Sequence, residues 1–319
     1  MNSMVDQISS EVVFLGTSGY HYPDDWKGIV YPKNLKDSEM LEYYTKFFYT
    51  TEINSTFYTI PNIRSTEAWS RRPLIYSAKI PKMVTHEAKL DMSKAIDPFL
   101  QFMRQMYPLY ESEKILSLLL QLPPSFGKEI EKDRDRLELF AQYWHAYVQE
   151  QFISKNLKVP YMVVEFRHKN CMNKEYFDLL HEYQLVYCAV VEPVLPPRLD
   201  ITNEELFYIR FHGYGQRPWF NYEFTEKELN EWAEKLTPIV QSAQSSANQP
   251  KKRKVAIYFN NHFSGYAVKN ALFLAQRMNL PHKNGLNSLQ KPLYALNDPS
   301  AVSEDGFKGK KQKSLDDFF

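Results

Sequence analysis

The sequence predicts an α/β fold, a TIM-like (β/α)8 barrel. Three observations carry this reading: eight short β-branched and aliphatic runs, each ending in polar residues; segments of helical periodicity between most of them; and the lack of a Gly-x-Gly-x-x-Gly after the first run, which disfavours an open dinucleotide-binding sheet. Repeated strand–helix units place a parallel sheet inside a shell of helices. With 44% hydrophobic and 15% aromatic residues in 319, the chain has enough apolar surface to fill both the barrel and the shell.

In chain order the runs are residues 12–18 (VVFLGTS), 51–57 (TEINSTF), 75–80 (IYSAKI), 116–122 (LSLLLQL), 162–167 (MVVEFR), 186–191 (VYCAVV), 207–212 (FYIRFH) and 255–260 (VAIYFN). Between the first two, Met40, Leu41, Tyr44 and Phe47/Phe48 recur at helical spacing. Leu137, Phe140, Ala141 and Trp144 do so between the fourth and fifth, and Val268, Ala271, Leu272 and Ala275 after the eighth. One link is irregular: residues 193–200 (PVLPPRLD) are proline-rich and too few for a helix, so a distortion is expected between strands six and seven. The barrel domain is assigned to residues 1–296. Residues 241–254 form a polar, then basic, loop, and residues 297–319 a tail of low hydrophobicity expected to be disordered.

Charge and composition narrow the function classes. Lys and Arg number 39 against 38 Asp and Glu, a net charge of +1, so any nucleic-acid-binding surface must be local. Cys171 and Cys188 form neither a disulfide framework nor a metal-binding pair, which suits a reducing compartment. No 18-residue apolar run and no signal-peptide layout are present; the expectation is a cytoplasmic protein without a membrane partner.

In such a barrel, polar residues at the C-terminal strand ends converge on one mouth. Thr17 and Ser18 end the first run, Glu52 and Asn54 lie in the second, Lys79 in the third and Gln121 in the fourth. Glu165, Arg167 and His168 close the fifth, Glu192 the sixth, Arg210 and His212 the seventh, and Asn260, Asn261 and His262 the eighth. Strand alternation pairs Glu52 with Asn54, Glu165 with Arg167, Arg210 with His212 and Asn260 with His262 on common faces. Buried ion pairs plugging the barrel end are one reading, a ligand site the other; polar groups on all eight runs favour the site.

Lys79, Arg167 and Arg210 opposite Glu52, Glu165 and Glu192 suit a phosphate or carboxylate ligand beside an acid/base carboxylate. A metal held by His168, His212, His262 and the glutamates is the competing idea. No H-x-H or H-E-x-x-H spacing supports it and three cations oppose it, so neither metal nor other cofactor is expected. Lys79 is either an amine activated for Schiff-base chemistry or the ion-pair partner of a glutamate. The aromatic stretch 214–224, with Trp219, Phe220, Tyr222 and Phe224 around Arg217, either stacks on bases or packs over the barrel, as do Tyr20, His21, Tyr22 and Trp26.

The strings GTSGYHYPDDWKGIVYP (16–32), EINSTFY (52–58), AKIPKMVTH (78–86), LLQLPPSF (119–126), VEFRH (164–168), YIRFHG (208–213) and FNNHFSGYAVKNA (259–271) follow one another in the order of the YecE-like family. Over about residues 12–280 the chain resembles that family, also called domain of unknown function 72. The resemblance implies a TIM-like barrel and leaves the reaction open. Asn170-Cys171 stands where the family commonly has Ser-Trp, and Glu192 where it often has Asp.

The tail carries a second resemblance. Gln312, Leu315, Phe318 and Phe319 reproduce the Gln-x-x-aliphatic-x-x-aromatic-aromatic spacing of the PCNA-interacting peptide over 312–319. One 3₁₀ turn puts Leu315, Phe318 and Phe319 on one side as an apolar plug, with Gln312 hydrogen-bonding beside it; docking of the tail onto its own barrel is the alternative. Residues 250–255 (PKKRKV) match a basic nuclear import string, or are a basic loop leading into a strand.

Barrel and clamp peptide together point to a DNA-processing repair enzyme held on the PCNA sliding clamp, a glycosylase or an endonuclease, nucleoid-associated or nuclear according to the cell. Glu165 or Glu192 would be acid/base, with Lys79 and His212 as further catalytic candidates. Arg167, Arg210 and His212 would hold phosphate, and Trp219 or Tyr222 would stack on a displaced base. Glu52, Asn54, Gln121, His168, Asn260, Asn261 and His262 would complete the binding wall. The rivals are an enzyme of a phosphorylated or carboxylated small molecule and a non-catalytic clamp-bound adaptor.

Overall fold

Each of the eight apolar runs contains a strand, and the computed structural model, which describes residues 12–216, 219–245 and 253–283, arranges them as one parallel barrel. The strands are β1 (Val13–Thr17), β2 (Thr50–Ile53), β3 (Ile75–Lys79), β4 (Ile115–Gln121), β5 (Tyr161–Glu165), β6 (Val186–Val191), β7 (Leu206–Phe211) and β8 (Lys254–Phe259). Each pairs with its successor from β2 onward, and β8 pairs back onto β1. Around them, in chain order, lie α1 (Pro23–Trp26), α2 (Met40–Tyr44), α3 (Ser55–Tyr58), α4 (Ile63–Ser70), α5 (Met92–Gln105), α6 (Tyr107–Glu111), α7 (Ile130–Gln151), α8 (Lys174–Glu182), α9 (Glu226–Ser245) and α10 (Tyr266–Arg277). Asn62, Asp91 and Asn173 cap the N-termini of α4, α5 and α8 by accepting from Ser65, Ser93 and Tyr176 N–H groups. No helix among the described residues is long and apolar enough to cross a membrane.

Two apolar layers result. The outer one joins strands to helices and takes in the predicted helical faces, with Leu137, Phe140, Ala141 and Trp144 of α7 and Val268, Ala271, Leu272 and Ala275 of α10 buried. The inner one fills the barrel with Phe14, Leu119, Val163, Val190, Tyr208, Tyr258 and their neighbours. Its tyrosines bring hydroxyls inside: Tyr258 Oη lies 2.7 Å from Thr50 Oγ1 and 3.1 Å from Ser77 Oγ, and Ser77 Oγ lies 2.8 Å from Ser117 Oγ. A barrel interior this polar tolerates burial because each hydroxyl finds a partner.

Two details differ from the sequence expectation or sharpen it. β2 stops at Ile53, not Phe57: Asn54 turns to helical dihedrals (φ −87°, ψ −24°), and Thr56 Oγ1 donates to the carbonyls of Ile53 at 3.0 Å and Lys79 at 2.6 Å. The link between β6 and β7 has no helix; Thr202 pins it instead, its Oγ1 accepting from Tyr187 N at 2.8 Å and donating to Leu185 O at 2.7 Å. The tail, 297–319, lies outside the described residues.

The barrel's weak seam is between β1 and β2, joined by one bridge, Ser18 to Glu52, and by Gly19 N donating to Glu52 O at 2.7 Å. Below it the Tyr44 hydroxyl substitutes for a ladder rung. It accepts from Thr17 N at 3.0 Å and donates to Thr50 O at 3.1 Å. Gly16 lies alongside because a Cβ there would collide with the Thr50 carbonyl. Tyr44→Phe leaves a buried amide and a buried carbonyl without their partner, so stability should fall by about 1–3 kcal/mol in chemical denaturation. An unchanged unfolding midpoint would show that the seam closes without this hydroxyl.

Candidate functional site

Three buried side chains from β2, β5 and β7 meet across the upper barrel. Arg210, 1% exposed, directs Nη2 to Glu52 Oε1 and Nη1 to Glu165 Oε2, both at 2.6 Å. The same guanidinium reaches Gln121 Oε1 at 3.3 Å and Ser18 Oγ at 3.4 Å, so four strands are tied to one side chain. Tyr208 Oη donates to the second oxygen of Glu52 at 2.6 Å. The alternation that put Arg210 on one face of β7 also puts Tyr208 one layer below it.

A second cation continues the chain of charge towards the mouth. Arg167 donates through Nε to Glu165 Oε1 and through Nη1 to Glu192 Oε2 at 2.9 Å, while its Nη2 lies 3.0 Å from His212 Nε2. His212 Nδ1 lies 3.0 Å from the Asn260 amide, whose oxygen accepts from Asn54 at 3.2 Å. Burial alone would raise the Glu165 carboxyl, but Arg167 and Arg210 hold it well below the usual carboxylate range. Burial and the Arg167 charge pull His212 down to about 3, so it is a neutral imidazole near pH 7.

Lys79 stands apart from this pairing. Among the described residues its ammonium has neither an ion-pair nor a hydrogen-bond partner; Nζ sits 3.6 Å from the centroid of the Phe57 ring, partly open to the mouth. Burial, then the Arg210 charge, lower its pKa to about 7, with Glu165 opposing the shift incompletely. Phe57 is there because β2 ends early and α3 swings its ring over the end of β3. His86 meets the same ring edge to face at 4.8 Å and is pulled down to about 4 by burial and by Lys79. A lysine of which about half is the free amine at pH 7 can attack carbonyl carbon.

The remaining predicted residues separate. Glu52, Asn54, Gln121, Glu165, Arg167, Glu192, Arg210, His212 and Asn260 are joined in the network above. Arg210 and His212, expected on a phosphate, are 1% and 3% exposed, and both Arg210 terminal nitrogens are bound to carboxylates; they brace the barrel end instead. Glu165 is likewise bound by two arginines that hold it ionised, the state of a base rather than of a general acid near neutral pH. The ion pair expected between Lys79 and a glutamate is absent among the described residues because the arginines occupy the glutamates.

Other positions serve the loops. His168 Nδ1 accepts from Asn170 N at 3.2 Å and caps the turn after β5. Asn261 faces outward to Tyr222 O and Asn270 Oδ1, both at 2.8 Å. His262 is stacked between Tyr22 at 4.2 Å and Phe220 at 4.5 Å. Tyr222 donates to Glu228 at 2.5 Å and packs over Gly213, whereas Trp219 lies 5.8 Å from the Arg167 guanidinium at the rim. Arg217 lies outside the described residues, as do Gln312, Leu315, Phe318 and Phe319. No group of three or more His, Cys, Asp or Glu among the described residues is placed to hold a metal ion. Phe57, His86 and Tyr208 escaped the sequence reading; the nearest signal was the string 78–86, which carries Lys79 and His86 together.

Comparison with known proteins agrees with the geometry. Residues 14–293 match the family model described as "Protein of unknown function DUF72". The UPF0759 protein YunF of Bacillus subtilis (strain 168) is 20% identical over 310 residues, which cover 89% of this chain and 100% of the relative. A DUF72 family protein of Thermotoga maritima MSB8 superposes with a TM-score of 0.69 at 28% identity, over 84% of this chain and 99% of that one. A DUF72 family protein of Enterococcus faecalis V583 shares the fold, with a TM-score of 0.66 at 19% identity over 84% of this chain and 96% of its own. A nearly closed parallel barrel matched over residues 14–293 places the chain in the DUF72 family.

Proposed function

We propose that the barrel mouth carries out imine chemistry with Lys79 as the nucleophile, and that its substrate is the aldehyde of an open abasic sugar in DNA. The observation that carries this reading is a Lys79 amine with no ion-pair or hydrogen-bond partner among the described residues, in a mouth where arginines already bind Glu52, Glu165 and Glu192; burial and the Arg210 charge lower its pKa to about 7. Among the repair reactions considered from sequence, this favours strand scission over cleavage of an N-glycosidic bond by a carboxylic acid. Nζ attacks the C1′ aldehyde carbon and water leaves, giving an imine. Loss of a C2′ proton then breaks the C3′–O bond and releases the downstream strand with a 5′-phosphate; water hydrolyses the imine, freeing the unsaturated aldehyde on the upstream strand and regenerating the lysine. No oxidant or cofactor enters this balance. Trp219 at the rim, 5.8 Å from the Arg167 guanidinium, supplies an aromatic face for the flanking nucleotide.

Borohydride reduces such an imine to a stable amine. Wild-type protein incubated with an oligonucleotide containing one abasic site should cross-link to it, and Lys79→Ala should lose the cross-link by at least about a hundredfold. A wild type that traps no DNA, or a Lys79→Ala variant that traps it equally, contradicts the reading. Trapping of a small phosphorylated aldehyde but not of the oligonucleotide would assign the site to a metabolite instead.

The sliding clamp is the partner proposed for residues 312–319, on the spacing of Gln312, Leu315, Phe318 and Phe319. This would place the protein with DNA, in the nucleoid or the nucleus. Changing Phe318 and Phe319 to Ala removes the two aromatic anchors of that peptide and should abolish clamp binding in calorimetry, with melting temperature and borohydride trapping unchanged. Unaltered clamp affinity in the double variant would remove this partner.

A further inference from the structure

His86 lies on the irregular turn that follows β3, outside the charge network, and touches the ring that supports Lys79. The turn is a single π-helical segment, Met83–Glu87, of the kind that recurs at functional sites. It is fixed at its base by Thr85, whose side chain is buried and whose Oγ1 donates to Pro81 O at 3.3 Å. Thr85 Oγ1 also lies 2.9 Å from His86 Nδ1. With the hydroxyl proton on Pro81 O, Nδ1 is the donor in that contact and Nε2 keeps its lone pair; Nε2 has no hydrogen-bond partner among the described residues. One nitrogen anchored, the other open, and a ring edge to face at 4.8 Å with the same Phe57 ring that Lys79 Nζ approaches to 3.6 Å put an imidazole in the surroundings of the amine, as a proton carrier requires.

We infer that His86 is a catalytic residue of the Lys79 site, relaying a proton between the attacking nitrogen and the departing oxygen during imine formation. This rests on the Lys79 reading. When Nζ adds to the aldehyde, the N–C bond forms and nitrogen becomes a cation while oxygen becomes an anion. His86 Nε2 takes the proton from nitrogen and returns it to oxygen; a further proton from solvent lets the hydroxyl leave as water, giving the iminium. The relay starts and ends with neutral imidazole. Burial, with the permanent Arg167 charge beside it and Glu165 opposing, keeps His86 neutral where the lysine is reactive, and makes its protonated form a ready donor.

The test is the rate of borohydride trapping on the abasic oligonucleotide under single-turnover conditions at pH 7. His86→Gln should slow trapping about a hundredfold without abolishing it, since Lys79 remains, and His86→Ala should regain at least tenfold when imidazole is added. Thr85→Val, which frees the ring, should slow trapping less than either. Melting temperatures verify that the variants are folded. If His86→Gln does not fold, His86→Ala with and without imidazole decides alone. Wild-type trapping rates in folded His86 variants overturn the relay and leave the Lys79 reading standing. Loss without imidazole rescue reduces His86 to a packing role. A wild type that never traps DNA overturns both.

Discussion

The upper barrel depends on one guanidinium. Arg210 lies between Glu52 on β2 and Glu165 on β5 and reaches both through 2.6 Å contacts from β7, so three strands that are not neighbours are fixed to each other through the interior. Burying these ions costs several kcal/mol each before pairing offsets it. The arrangement persists because each carboxylate has further donors: Tyr208 for Glu52, and Arg167 for Glu165. It also lies next to the weakest pairing in the sheet, where β1 and β2 share one bridge at Ser18 and Glu52. The brace stands where the backbone ladder is thinnest.

Matching arginines to glutamates has a second consequence. Glu52, Glu165 and Glu192 are satisfied by Arg210 and Arg167, and the cation that remains, Lys79, faces two arginines with no carboxylate of its own among the described residues. Its depressed pKa follows from burial and from the excess of fixed positive charge beside it. By binding the nearby carboxylates the network leaves Lys79 without an ion pair among the described residues, and its free amine is correspondingly favoured.

Strand positions and inward faces were legible because alternation and helical period are local properties, and all eight runs contain strands. Which charges pair was not, because parity says that Glu165 and Arg167 share a face but not that Arg210 reaches across from β7 to take the other carboxylate oxygen. Tyr222 and Asn261 look like site residues in a list of polar strand ends, yet local turns direct one to Glu228 and the other to Asn270. His86 was hidden for the opposite reason: it is six residues beyond the end of the third run, and only the π-helical turn returns it to the Phe57 ring. Phe57 itself was assigned to a strand, and its role depends on β2 ending at Ile53.

Lys79 is in large fraction uncharged near neutral pH, because burial and two arginines disfavour its ammonium and no carboxylate among the described residues pairs with it. Its titration can be followed directly by heteronuclear NMR of protein carrying isotope-labelled lysine, with the Lys79 signal assigned by its loss in Lys79→Arg. The account predicts a midpoint of about 7 for this one resonance, against the ordinary lysine value of 10.5. A Lys79 signal that titrates with the surface lysines would contradict it.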